Sequence, residues 1–135
     1  MHHTKDKGDL GVLKAQVDLY QKGYMILNPL TEHAPFDLVV YKDYKFLTIQ
    51  VKYRQLIRGC IVLKQISCWS DKNGVHEKKI DFKAVDLYCI YCPETDKCYY
   101  IKPNPDKISI NLRVSSPKNN QKANVMFAHD YTEIP

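Results

Sequence analysis

The segment Phe36-Asp37-Leu38-Val39-Val40-Tyr41-Lys42-Asp43-Tyr44-Lys45-Phe46-Leu47-Thr48-Ile49-Gln50-Val51-Lys52-Tyr53 decides how this chain is read. Phe36 to Tyr41 and Phe46 to Tyr53 are rich in β-branched and aromatic residues, and the polar Lys42-Asp43-Tyr44-Lys45 separates them. That pattern predicts a β-hairpin. A two-residue loop at Asp43-Tyr44 pairs Lys42 with Lys45, Tyr41 with Phe46 and Val39 with Thr48, and would set Asp37 opposite Gln50. Directly opposed residues have Cβ atoms about 4.5–5.5 Å apart. Lys52, two residues beyond Gln50, points to the same face because side chains alternate along a strand. Ile49 and Val51 point the other way, into a core.

One face of the hairpin therefore presents a carboxylate, an amide and an ammonium. A hard cation such as Mg²⁺ takes oxygen ligands, which Asp37 and Gln50 can supply. A lysine beside it can position or activate water and stabilise charge on a pentavalent phosphorus. The competing reading is an exposed polar face carrying a chance Asp–Lys pair, and the hairpin pattern alone does not separate the two.

Before this hairpin, Thr4 to about Lys22 predicts a helix ended by Gly23. Leu10, Leu13, Val17 and Tyr20 are its expected buried stripe, and Val12, Ala15 and Leu19 form a second apolar edge. Tyr24 to Leu27 reads as a buried strand, and Thr31 to Pro35 as a loop. After the hairpin, Cys60 to Trp69 reads as one strand, turned by Asp71-Lys72-Asn73-Gly74 into Val75 to Ile80, since Asn-Gly is a strong tight-turn signal. Asp86 to Cys92 and Cys98 to Ile101 form a further strand pair. Lys107 to Ser115 is the expected last strand, followed by the polar loop Ser116 to Lys122 and a short amphipathic tail. A helix followed mostly by strands predicts a mixed α/β or α+β fold, with the helix packed on a mixed sheet. The 135 residues suit one domain, 1–135, with a core at 4–53 and 84–115 and a basic ribbon at 60–80.

The net charge of +5 is unevenly spread. Between residues 54 and 83, seven lysines and arginines stand against three acids, so this segment carries nearly all of the excess. Clustered positive charge suits a polyanion, because phosphate neutralisation releases counterions. A two-stranded ribbon fits the major groove of DNA. Arg54, Arg58, Lys64, Gln65, Ser67, Trp69, Lys72, Asn73, His76 and Lys78 are the candidate DNA-binding residues, with Gln65, Ser67 and Trp69 expected on one face. Oligomer packing by the same ribbon, or a merely solvated basic hairpin, are the alternatives.

Thr4-Lys5-Asp6-Lys7-Gly8-Asp9-Leu10, Lys22-Gly23-Tyr24, Ala34-Pro35-Phe36-Asp37-Leu38-Val39 and Ile49-Gln50-Val51-Lys52, in this order, resemble the PD-(D/E)XK nucleases. More narrowly, they resemble a small subgroup that includes group I intron-encoded homing endonucleases of cyanobacteria. The resemblance implies a restriction-endonuclease-like core and cleavage of double-stranded DNA with Mg²⁺ or another divalent cation. It also implies Asp37 as metal-binding aspartate, Gln50 as a ligand where many relatives carry Asp or Glu, and Lys52 as catalytic lysine. Three departures stand out. Phe36 separates the Pro and Asp of the motif, Gln50 removes one negative charge, and Val12 occupies the position where the family usually has a helix glutamate. Asp9 is the nearby acid that could compensate; otherwise the chain is a weak or inactive nucleic-acid-binding protein on a nuclease fold. A double-strand break needs two sites, so a homo-oligomer is expected, with a tetramer favoured and a dimer possible.

Five cysteines and no apolar leader suit reduced thiols in a cytoplasmic protein. Cys89, Cys92 and Cys98 lack a fourth zinc ligand at the usual spacing, and ordinary buried thiols are the simpler reading. No apolar run is long enough to span a bilayer.

Overall fold

The computed structural model describes residues 4–79, 82–115 and 124–135, with only the backbone described at 66–69 and 77–79. Helix α1 spans Thr4–Gln21 and ends as a left-handed turn at Gly23, φ 89°. There the Gly23 amide donates to the Tyr20 carbonyl, and the Lys22 and Tyr24 amides share the Leu19 carbonyl, which closes the end of the helix. The strands are β1 Met25–Leu27, β2 Leu38–Lys42, β3 Lys45–Tyr53, β4 Cys60–Lys64, β5 Ile66–Asp71, β6 Gly74–Lys79, β7 Leu87–Cys92, β8 Lys97–Ile101 and β9 Ser109–Arg113. A short 3₁₀ turn, Ala128–Tyr131, follows. The expected polar loop 116–122 lies outside the described residues.

The main sheet has the order β1-β2-β3-β7-β8 and is mixed: β3 and β7 run parallel, and every other neighbouring pair is antiparallel. Strand β7, Leu-Tyr-Cys-Ile-Tyr-Cys, lies between β3 and the edge strand β8 and is buried along its whole length. One face packs against α1 through Ala15, Leu19, Leu38, Val40, Ile49, Leu87, Cys89 and Tyr100. On the other face lie Tyr88, Ile90, Tyr99 and Ile101, covered by Ile61 and Leu63 of β4, Ile110 and Leu112 of β9, and Ala128 of the 3₁₀ turn. Among the described residues no helix is long and apolar enough to cross a membrane.

Two sequence expectations are corrected here. Leu13, Val17 and Tyr20 are exposed, Tyr20 at 74%, and the buried side of α1 is Gly11, Ala15 and Leu19, flanked by Leu10 and Val12. Small residues set this choice. The helix backbone at Gly11 comes against Val51 and Tyr53 of β3, and a face of large side chains would hold it further away. The second correction concerns 60–80. Cys60 to Trp69 is two strands, not one: β4 pairs with β9 in one two-stranded sheet, and β5 pairs with β6 in another. Ile61 and Leu63 are drawn under the main sheet as inward residues, and only β5 and β6 form the ribbon that Asn73-Gly74 closes.

Candidate active site

The hairpin register follows from its loop. Asp43 and Tyr44 both have positive φ, 52° and 65°, so two residues suffice to reverse the chain, and Lys42 pairs with Lys45, Tyr41 with Phe46 and Val39 with Thr48. Leu38 with Ile49 is the last pair of the ladder. Leu38, Val40 and Ile49 pack on the helix side, so alternation turns Gln50 and Lys52 to the opposite face of the sheet.

Asp37 does not continue the ladder as a simple partner of Gln50. Its amide donates to the Ile49 carbonyl at 2.9 Å, and its Oδ2 accepts the Val51 amide at 2.7 Å. The aspartate thus clasps β3 on both sides of Gln50, a side chain competing with backbone for a strand amide. The clasp fixes the carboxylate near Gln50 and leaves Oδ1 with its lone pairs.

Gln50 itself is half-buried. Its Oε1 is buried and has no hydrogen-bond partner among the described residues. An unsatisfied buried acceptor costs about 1–3 kcal/mol, a cost that a ligand engaging it would relieve. Lys52, also half-buried, has an ammonium held below the usual lysine pKa, first by burial and then by the charge of Arg54, while Asp37 pulls the other way. Arg54 is held against the sheet, its amide donating to Tyr91 O at 2.9 Å and its guanidinium to Tyr53 O at 2.8 Å. Burial lowers its pKa too. A carboxylate oxygen and a buried amide oxygen suit a hard divalent cation, which prefers oxygen ligands and leaves its other positions to water and phosphate. Among the described residues no three His, Cys, Asp or Glu side chains are grouped so that they could hold a metal ion, so a cation here would rest on one carboxylate.

A model of the PD-(D/E)XK endonucleases matches residues 2–134 of this chain. The chain belongs to that family. It is also similar in structure to a bacterial homing endonuclease, I-Ssp6803I, with a TM-score of 0.76 and 23% identity over 95% of this chain and 87% of that one. None of the curated proteins matches it. A PD-(D/E)XK chain is thereby a nuclease by fold, and the helix packed on a mixed sheet is that of its family. Against this frame Val12 is notable. It is half-buried and packs into the helix-side cluster, an apolar residue with no oxygen to offer, while Asp9 is exposed.

The basic candidates separate. Lys64 is exposed at the end of β4, Arg58 lies in a turn at φ 52°, and Lys72 and Asn73 are exposed at the tip between β5 and β6. Asp71 holds that tip, accepting from the Asn73 amide at 2.7 Å and facing His76 Nε2 at 3.0 Å. The register sets Ser67 opposite Lys78 and Trp69 opposite His76, though the side chains of Ser67, Trp69 and Lys78 lie outside the described residues. Gln65 is a correction. It is 1% exposed, donates to the carbonyls of Asn104 and Lys107, and accepts from the Asn104 amide, so it secures a loop and has no reach to a base edge. Its parity could have shown this, since Ile61, Leu63 and Gln65 alternate inward together. The sequence reading also missed the outer face of β4 and β9. There Lys64 pairs with Ser109 and Cys60 with Arg113, and Asn111 is exposed between them. Only the long-range pairing of these strands reveals that polar surface.

Proposed function

We propose that this chain is a site-specific homing endonuclease that makes double-strand breaks in DNA by Mg²⁺-dependent phosphodiester hydrolysis. The observation that carries the reading is the buried Gln50 Oε1, without a partner among the described residues, on the strand that Asp37 clasps and that also carries Lys52, in a chain of this nuclease family. Asp37 Oδ1 and Gln50 Oε1 are the atoms that would hold the cation. When bound, the cation polarises the scissile phosphate and lowers the pKa of water. Asp37, fixed by the Val51 amide, keeps one oxygen aimed into the site without paying rotamer entropy at each turnover. Lys52 orients the attacking water and donates to the phosphoryl oxygens as charge grows on them. Its partial burial strengthens that interaction, because less solvent competes for the ammonium.

Arg54 lies beside the site and is suited to the flanking phosphate. Arg58, Lys64, Lys72, Asn73 and His76, with Ser67, Trp69 and Lys78, are proposed to bind the duplex along the ribbon, joined by Ser109, Asn111 and Arg113 of the neighbouring sheet. One site per chain requires at least two copies for a double-strand break. A tetramer is favoured over a dimer, in that extra copies would brace the pair that cuts. The exposed Leu13, Val17 and Tyr20 give α1 an apolar face suited to another copy. Sedimentation equilibrium with and without duplex is expected to show a closed homo-oligomer; a monomer that makes double-strand breaks contradicts this. A cytoplasmic location fits such an enzyme.

A second reading is a weak or inactive binder on the nuclease fold, and Val12 favours it by removing a carboxylate from the helix. A plasmid bearing an intron insertion site separates the two. Linear product with Mg²⁺ and none with chelator supports the endonuclease, whereas binding without any cleavage supports the binder.

A further inference from the structure

Gln50 has a counterpart across the parallel ladder. Its register partner on β7 is Tyr88, and residues paired in this way project to the same face of the sheet. Tyr88 is fully buried, and its hydroxyl, like Gln50 Oε1, has no hydrogen-bond partner among the described residues. These two are the buried side-chain oxygens or nitrogens left without a partner among the described residues, and they fall on paired positions of the adjacent strands β3 and β7. They also do not bond to each other.

The chemistry of the two atoms is complementary. Gln50 Oε1 can only accept a hydrogen bond or ligate a cation, whereas a phenol both donates and accepts. A directly paired amide and phenol would have needed no third party. Two such orphans on paired positions of adjacent strands can be served by one occupant, and the hydration shell of a divalent cation would do so. Gln50 Oε1 would be a ligand to such a cation, and the phenolic oxygen of Tyr88 would accept from its polarised waters. A phenylalanine at this position would pack the same core without leaving a hydroxyl unpaired, so packing alone does not account for the oxygen.

We propose that Tyr88 is a positioning residue of the Asp37–Gln50–Lys52 site, holding the hydration shell of a divalent cation that Gln50 ligates. This rests on the metal-dependent reading above, but it adds a residue from a different strand, 36 positions beyond Lys52. Tyr88 would limit where the cation's waters lie, and hence which of them faces the phosphate.

The test is Mn²⁺ binding to the whole chain without DNA, followed by the electron paramagnetic resonance signal of free Mn²⁺. Wild type, Tyr88→Phe, Gln50→Leu and the double variant are compared, each alongside urea denaturation in chelator. Tyr88→Phe is expected to be at least as stable as wild type without cation, and to bind Mn²⁺ about tenfold more weakly, the scale of lost outer-shell contacts. The losses in the two single variants are expected not to add in the double variant, because both act through one occupant. Unchanged Mn²⁺ affinity in Tyr88→Phe, strictly additive losses, or no Mn²⁺ bound by wild type overturns the proposal. So does a loss of stability in chelator, which would make the hydroxyl a structural group. Plasmid cleavage is scored separately. Intact plasmid with Tyr88-dependent Mn²⁺ binding contradicts the endonuclease reading alone, and cleaved plasmid with Tyr88-independent binding contradicts this inference alone.

Discussion

The hairpin 36–53 and the segment 60–80 are both rich in β-formers and carry a net positive charge, yet only in the first does the strand pairing follow throughout from its own residues. In the hairpin a two-residue loop fixes every pair by counting outward from Asp43-Tyr44, and the sheet neighbour is the strand next in sequence. In 60–80 the chain changes sheets at Gln65, and the partner of its first half is Ser109–Arg113, more than forty residues downstream. Local chemistry determines local pairing; it does not determine which distant strand wins a shared edge. The hairpin holds the candidate chemistry, while the segment around Gln65 is held by a loop the sequence does not place beside it.

Lys52→Ala sharpens that contrast most. Removing the ammonium beside the scissile phosphate is expected to slow cleavage by about 10²–10³-fold, the range seen when a charge-stabilising donor is lost. Duplex affinity should change by only a few fold, because one of many cationic contacts is removed. Single-turnover plasmid cleavage and filter binding on the same preparation measure both. A parallel loss of binding and cleavage would place Lys52 among the phosphate contacts instead.

Gln65→Ala tests the other region. It strips a buried amide from two carbonyls and one backbone amide, so a loss of about 2–3 kcal/mol in urea denaturation is expected. Duplex affinity of the folded fraction should stay near wild type. Reduced affinity with unchanged stability would restore Gln65 to the DNA-reading ribbon and break the comparison.

Tyr44→Gly probes the turn that makes the hairpin legible. A tyrosine held at φ 65° bears about 1 kcal/mol of steric cost that glycine avoids, and its exposed ring contributes little packing. A rise in stability of about 1 kcal/mol with unaltered cleavage is expected. Lys72→Ala at the ribbon tip should have a smaller effect still. Its stability is expected to stay within about 0.5 kcal/mol of wild type. Its effect appears in the salt dependence of duplex binding, whose slope falls by about one for one lost phosphate contact. An unchanged slope would take the tip off the duplex.

How much of this molecule was legible follows the same division. The helix at Thr4–Gln21, the Gly23 stop, the register from Lys42–Lys45 to Val39–Thr48 and the shared face of Gln50 and Lys52 follow from period and turn chemistry. The face of α1 did not, because periodicity favours the large Leu13, Val17 and Tyr20, whereas close approach to β3 favoured Gly11 and Ala15. Asp37 was expected as the ladder partner of Gln50, whereas its clasp on Ile49 and Val51 depends on a side chain outcompeting a backbone partner at the end of the ladder. Tyr88 stayed hidden among ten tyrosines, because nothing in the chain's order says that β7 lies parallel to β3 with Tyr88 beside Gln50.

The central claim is that the clasped carboxylate of Asp37 serves hydrolysis and not the fold or the grip on DNA. Asp37→Asn keeps an oxygen that can still accept the Val51 amide while removing the negative charge, so it isolates that claim. The measurement is cleavage and binding of a duplex bearing the insertion site, with Mg²⁺, for wild type and Asp37→Asn side by side. The account predicts wild-type stability and near wild-type binding, with cleavage lost by about 10³-fold. Cleavage by Asp37→Asn at the wild-type rate would contradict it.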